Sequence, residues 1–214
     1  MKILFFGDSI TDAGRNREAQ GHLYGYGYGF VRMIADELLG KTPWAHEIIN
    51  RGINGERSVD LYARIKKDVW NLQPDIVSIL MGANDVWHEI DSNNGVELDR
   101  YENVYRMMIE DTRKALPNAK IILCEPFFLK GKATDNTEEQ PDRYQRFCAL
   151  YDYAKVVKKL AEEYSLPFVP LQETLSKAAE TSKVEYYLHD GVHPQVAGAR
   201  LIADEWLKVF GELK

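Results

Sequence analysis

The chain has 214 residues, 45% of them hydrophobic and 28% charged, the proportions of a soluble globular protein with one full-sized core. A formal net charge of −6 argues against nucleic acid or an anionic membrane surface as a partner, because both select basic faces. No run approaches the ~18 apolar residues of a membrane span, and Ile3-Leu4-Phe5-Phe6 is too short for a secretion signal, so a cytoplasmic protein is expected.

In chain order, short apolar runs alternate with helix-period segments. Ile3–Phe6 reads as a first strand, and an irregular stretch rich in glycine and polar residues follows from Thr11 to Tyr28. His46–Asn50 is a second, weaker strand. Leu61, Ile65, Val69 and Leu72 then recur at helical spacing, and Ile76–Met81 is a third strand. Tyr101, Val104, Tyr105, Met108 and Thr112 form the next stripe, followed by a strand at Lys120–Cys124 and a charged irregular segment from Lys130 to Arg143. Tyr153, Val157, Leu160, Ala161 and Tyr164 precede a short fifth strand at Pro167–Val169. Val196, Ala199, Ala203, Trp206, Leu207 and Phe210 make a final amphipathic helix. Such alternation predicts a doubly wound α/β fold with a parallel sheet, in a single domain spanning residues 1–214.

Cys124 and Cys148 fall in a predicted strand and helix and read as two unpaired core thiols. His22, His46 and His88 show no metal-type spacing, and neither metal nor cofactor is expected.

In a parallel sheet, ligands bind outside the carboxyl ends of the strands. Just beyond those ends lie Gly7-Asp8-Ser9-Ile10-Thr11, Gly52-Ile53-Asn54-Gly55 and Gly82-Ala83-Asn84-Asp85, and before the last helix lies Asp190-Gly191-Val192-His193-Pro194. A serine hydroxyl needs an adjacent base that is itself oriented by a third group. His193 can be that base, and Asp190, three residues earlier, can reach its far ring nitrogen from the same turn. The backbone N–H groups of Ser9 and Gly55 and the side-chain amide of Asn84 are candidate oxyanion donors. Taken singly, each residue has a bland reading: a serine after a strand usually caps a helix, and a post-strand glycine usually turns the chain. Their coincidence at one end of the sheet favours chemistry. Ser58 and Ser78 are expected to cap or pack.

These four blocks resemble those of the GDSL/SGNH hydrolase superfamily, in the expected order over nearly the whole chain, with Ile10 in place of the leucine that names the first motif. The resemblance implies a three-layer α/β/α, flavodoxin-like fold with a five-stranded parallel sheet. It also implies Ser9, Gly55, Asn84 and His193 as signature residues, with Asp190 completing a triad. Gly7–Arg15, Asn84-Asp85-Val86-Trp87 and Pro126-Phe127-Phe128 are further similar to bacterial intracellular acetylxylan esterases. That similarity implies acetyl esters of sugars as substrates and a homo-oligomer.

Asp8 and Trp87 are candidate substrate contacts, Trp87 being equally readable as a packed aromatic. Tyr24, Tyr26 and Tyr28, set among glycines, suit a cleft wall, a subunit contact or a plain loop. His189 competes with His193 but should point away from Ser9. A lysophospholipase or thioesterase acting on longer acyl chains is the alternative enzyme, although the polar segments 11–28 and 130–143 favour a short acyl group. A phosphate-cradling nucleotide or flavin module would have no use for Asp8 and Asp12 in its first loop.

Overall fold

The computed structural model describes residues 1–213. Strands β1 (Lys2–Gly7), β2 (Glu47–Gly52), β3 (Ile76–Leu80), β4 (Lys120–Cys124) and β5 (Phe168–Val169) form an all-parallel sheet in the order β2-β1-β3-β4-β5. The helices are α1 (Ser9–Asp12), α2 (Phe30–Lys41), α3 (Ser58–Asp68), α4 (Ala83–Ser92), α5 (Leu98–Ala115), α6 (Arg143–Phe147), α7 (Leu150–Glu163), α8 (Gln172–Ala179), α9 (Val184–Tyr187) and α10 (Val196–Gly211). The expected flavodoxin-like α/β arrangement is the one found.

Every residue of β3, and of β1 after Lys2, is buried, because helices cover both faces of the sheet and leave no solvent side. Phe5 faces the layer of α2 and α10, its ring 5.8 Å from Phe30 and 5.0 Å from Trp206. Phe6, one residue on, faces the opposite way, under the Arg64 guanidinium of α3 at 4.4 Å. Packed beside α3 in that second layer are α5 and, against α5, α7. The one polar group that Trp206 brings inside is satisfied, its indole N–H donating to Ser78 Oγ at 2.9 Å. Ser78 therefore packs, as expected.

Several boundaries differ from the sequence reading. β2 runs to Gly52, because its pairing with β1 continues to Gly7. Helix α2 was not expected, although Phe30, Val31, Ile34 and Ala35 form a buried helical stripe. Val196 stands at the start of α10 and is exposed, so the buried stripe begins at Ala199. The irregular stretch after Thr11 contains the end of α1 and a 3₁₀ turn at Leu23–Tyr26. Both cysteines are free; Cys124 is buried, whereas Cys148 is only half-buried.

The chain leaves β1 in one direction to β2 and crosses back to β3, so the winding reverses between β1 and β3. At such a switch the loops diverge and leave a crevice at the carboxyl ends of the strands. Ser9 opens α1 just past β1, Asn54-Gly55 follow β2, and Asn84 lies in the first turn of α4, just past β3.

Candidate active site

Ser9 sits on a tight strand-to-helix turn capped by its neighbour: Asp8 is 1% exposed and its carboxylate accepts the Ile10 N–H at 2.9 Å. The Ser9 hydroxyl lies 2.8 Å from His193 Nε2, and His193 Nδ1 lies 2.7 Å from Asp190 Oδ2. The other Asp190 oxygen accepts the backbone N–H groups of Val192 at 2.9 Å and His193 at 2.8 Å. The spacing of three thus lets one carboxylate hold both the backbone and the ring of His193.

The turn carrying these two residues is pinned from both sides. Leu188 and Pro194 form an isolated bridge, and the His189 N–H donates to His193 O at 3.0 Å. Leu129 N–H, just before the segment expected to be irregular, donates to Gly191 O, and Ala133 N–H, within it, donates to Asp190 O, both at 2.8 Å. Thr134, fully buried, ties that segment to itself by donating to Leu129 O at 2.6 Å. The early part of the 130–143 stretch is therefore a brace behind Asp190.

Burial opposes ionisation of Asp190, but the His193 ring and the two backbone N–H groups outweigh it and hold its carboxyl down at about 2. The same hydrogen bond raises His193 above the ordinary imidazole value, against the effect of burial. With Nδ1–H donated to Asp190, a neutral His193 presents Nε2 as the acceptor for the Ser9 proton. A hydroxyl, imidazole and carboxylate joined in this order can generate an alkoxide-like nucleophile.

The candidate oxyanion donors Ser9, Gly55 and Asn84 line one lobe of the same cleft. The Ser9 N–H is among the first of α1, which lack an intrahelical acceptor. Gly55 has φ of +78°, a left-handed backbone that glycine adopts without strain, and the space where a side chain would stand is open. Asn84 Nδ2 donates one N–H to Glu56 O at 2.9 Å, which fixes the amide and leaves its second N–H to the cleft.

The cleft has two lobes, and Ser9, Asn54 and His193 line both. A lobe of about 410 Å³ adds Gly55, Asn84, Trp87, His88, Asp91 and Ser92. A lobe of about 560 Å³ adds the 10–14 turn, Tyr28, His189, Asp190 and Gln195. Trp87 is in the first lobe, its ring centroid 5.9 Å from that of His193 and 5.6 Å from Phe147. Its indole N–H donates to Asp91 at 2.7 Å, and Asp91 is in turn paired with Arg143, the last residue of the 130–143 stretch. Asp8, expected to touch substrate, is instead beneath the floor, because its carboxylate is spent on the α1 cap. His189 was expected to point away from Ser9. Its ring lies 5.9 Å from that of His193, with Nε2 3.7 Å from Asp190 Oδ2, so it stays on the rim and lines the second lobe. It makes no hydrogen bond to Ser9.

Some participants were not singled out from sequence. Glu56 acts through its carbonyl, which any residue would supply. Asp85 is fully buried and accepts both the backbone N–H and the hydroxyl of Ser58 at the start of α3, a link across 27 positions. Ser58 is thus a packing residue, as expected. Among the described residues, no group of three or more His, Cys, Asp or Glu could hold a metal ion, and no helix is long and apolar enough to cross a membrane.

Residues 5–201 match the model of the GDSL-like lipase/acylhydrolase family. The chain is 36% identical to an acetylxylan esterase of Geobacillus stearothermophilus, over 98% of this chain and 94% of that protein. A crystal structure of Axe2, an acetylxylan esterase from the same organism, superposes with a TM-score of 0.83 at 34% identity, covering 99% of this chain and 94% of that one. A thioesterase 1/protease 1/lysophospholipase L1 of Escherichia coli is 25% identical over 96% of this chain and 80% of its own length. With the fold and the cleft arranged as above, these matches make the chain a member of the GDSL-like lipase/acylhydrolase family and a carboxylic ester hydrolase.

Proposed function

We propose that this esterase hydrolyses short-chain acyl esters, acetyl esters of sugars or oligosaccharides, through an acyl-enzyme on Ser9, and that residues 1–214 act as one domain. The observation that carries this reading is the continuous line from Ser9 Oγ through His193 to Asp190, at 2.8 and 2.7 Å. His193 Nε2 takes the hydroxyl proton as the Ser9 oxygen bonds to the ester carbonyl carbon. The resulting oxyanion is met by the N–H groups of Ser9 and Gly55 and the Asn84 amide. Collapse breaks the bond to the alcohol oxygen, which receives the proton from His193. Water then repeats the sequence, releasing the carboxylic acid and restoring Ser9. Ser9→Ala removes only the attacking oxygen, so turnover should fall by about 10⁴–10⁶ with the melting temperature little changed. Near-parent activity in that variant would refute the assignment.

The sugar acetate preference draws support from the 36% identity to an acetylxylan esterase, and its short acyl group from the polar end of the smaller lobe, where His88, Asp91 and Ser92 would oppose a long apolar chain. The second reading, a longer acyl chain, draws on that lobe's volume of about 410 Å³, well beyond what an acetyl group fills. A series of esters from acetyl to octanoyl separates the two: kcat/KM should be highest at acetyl and fall with chain length, whereas a rise toward octanoyl would replace the short-chain reading. Two free thiols support a cytoplasmic setting. Exposed Leu23, Tyr24 and Trp44 support a homo-oligomer, which a monomer mass in light scattering at micromolar concentration would contradict.

A further inference from the structure

Of the three loop tyrosines, Tyr28 has a position that ester chemistry alone does not use. The residue is 75% exposed, yet it forms a wall of the larger lobe, which the 189–195 turn also lines. The seat is firm. Its backbone N–H donates to Ala13 O at 2.9 Å, and its ring lies against Gly14, where a Cβ would come within 2.5 Å of Tyr28 Cε1. Gly14 has φ of +69°, so the missing side chain is needed both for the turn and for the ring. An aromatic seated at its Cε1 edge on backbone and open to a cleft elsewhere is a platform for a flat apolar face.

The geometry of acyl transfer says which part of the ester reaches it. Gly55 and Asn84, the donors that fix the carbonyl oxygen, line the smaller lobe and not the larger one. The departing alcohol oxygen must collect a proton from His193 Nε2, and the larger lobe is built from His193 and its neighbours. We infer that the smaller lobe receives the acyl group, and that the larger lobe is the alcohol subsite, with Tyr28 as a platform for a sugar ring. The C–H face of a pyranose stacks on the tyrosine while its hydroxyls meet the polar side chains His189 and Gln195 across the lobe. This assignment rests on the sugar ester reading proposed above and adds a residue that selects the alcohol.

The test compares two acetates that differ only in the alcohol: acetylated methyl xyloside, whose ring can reach Tyr28, and ethyl acetate, whose alcohol is too small to do so. For Tyr28→Ala, the ratio of kcat/KM for the xyloside acetate over ethyl acetate should fall about tenfold, the scale of one aromatic contact. Tyr28→Trp should restore the ratio, and Tyr24→Ala, exposed but outside the lobe, should leave it at the parent value. An unaltered ratio in Tyr28→Ala, or restoration failing in Tyr28→Trp, overturns the platform while leaving the esterase reading intact. A parent enzyme that hydrolyses ethyl acetate but no sugar acetate overturns the sugar reading itself, and the subsite with it.

Discussion

Two sets of aspartates surround Ser9, and their surroundings push them in opposite directions. On the rim, Asp190 is half-buried and takes three hydrogen bonds, two from backbone N–H groups and one from an imidazole. Under the floor, Asp8 and Asp85 are almost wholly enclosed, Asp8 with the Ile10 N–H and Asp85 with Ser58. Burial dominates below: it lifts Asp8 to about 6 and Asp85, which also feels the charge of Asp8, to about 7. On the rim the donors win, and Asp190 lies at about 2. The same side chain is therefore a fixed anion in one place and a group ready to accept a proton in the other. Donor count and solvent access decide which.

The strongest way to break the rim half of this comparison is at the histidines. His193→Ala removes the group that Asp190 serves, and activity should fall by about 10⁴ or more, while His189→Ala should keep most of it. Both rings lie near Asp190, so initial rates of the two variants distinguish the one that contacts Ser9 from the one that only lines the rim. A reversed order would mean that the rim works through His189.

A charge-specific probe is Asp190→Asn, which keeps the shape but takes away the anion. A loss of about 10⁴ in kcat is expected from the disturbed imidazole tautomer. The residual pH profile carries more information. A protonated His193 cannot accept the serine proton, so activity falls as pH drops through its pKa, which the hydrogen bond to Asp190 raises above the ordinary imidazole value. Without that anion the acidic limb should move to lower pH. A limb that stays in place would show that Asp190 does not set the basicity of His193.

Asn84→Ala tests a neutral donor beside these charged groups. Loss of one oxyanion donor should lower kcat by about 10²–10³ with a smaller change in KM. Steady-state kinetics on one acetyl ester decide it, since an effect confined to KM would make Asn84 a ground-state contact.

The contrast between rim and floor was only half legible in the sequence. Asp190 and His193 are close in the chain, and their spacing encodes the turn. Ser9, Gly55 and Asn84 were legible because parallel topology delivers post-strand residues to one edge. Asp8, a candidate substrate contact, adjoins Ser9, but adjacency does not say which way a side chain faces, and the α1 cap turns it inward. The pairing of Asp85 with Ser58 joins two helix starts and has no local signal. Helix α2 escaped because its stripe follows directly on the glycine-rich stretch, and the brace at 129–134 because its bonds are made by backbone atoms of small or polar residues. The platform at Tyr28 depends on Gly14, 14 positions away in sequence but in contact with its ring.

The smallest effect concerns stability and lies on the floor. Asp85 has its folded pKa raised to about 7, far above the ~3.9 of an unfolded aspartate. Between those values the folded chain holds a proton that the unfolded chain has released, so unfolding becomes easier as pH rises from about 4 to about 7. Asp190, with a folded pKa near 2, works oppositely: its contribution is present above about pH 4 and is lost as pH falls toward 2. The two windows do not overlap, so Asp85 can be measured without Asp190 titrating, and comparison of parent with variant removes the contributions of Asp8 and His193, which titrate near the same range. Asp85→Asn keeps an acceptor for the Ser58 N–H and hydroxyl but cannot ionise. Melting temperatures at pH 4.5 and pH 7 should differ in the parent, with pH 7 lower, and the gap should narrow by roughly 5–10 °C in Asp85→Asn, the size expected of about 3 kcal/mol in a chain of this length. An equal gap in parent and variant would mean that Asp85 is ionised throughout, and that Ser58 outweighs its burial.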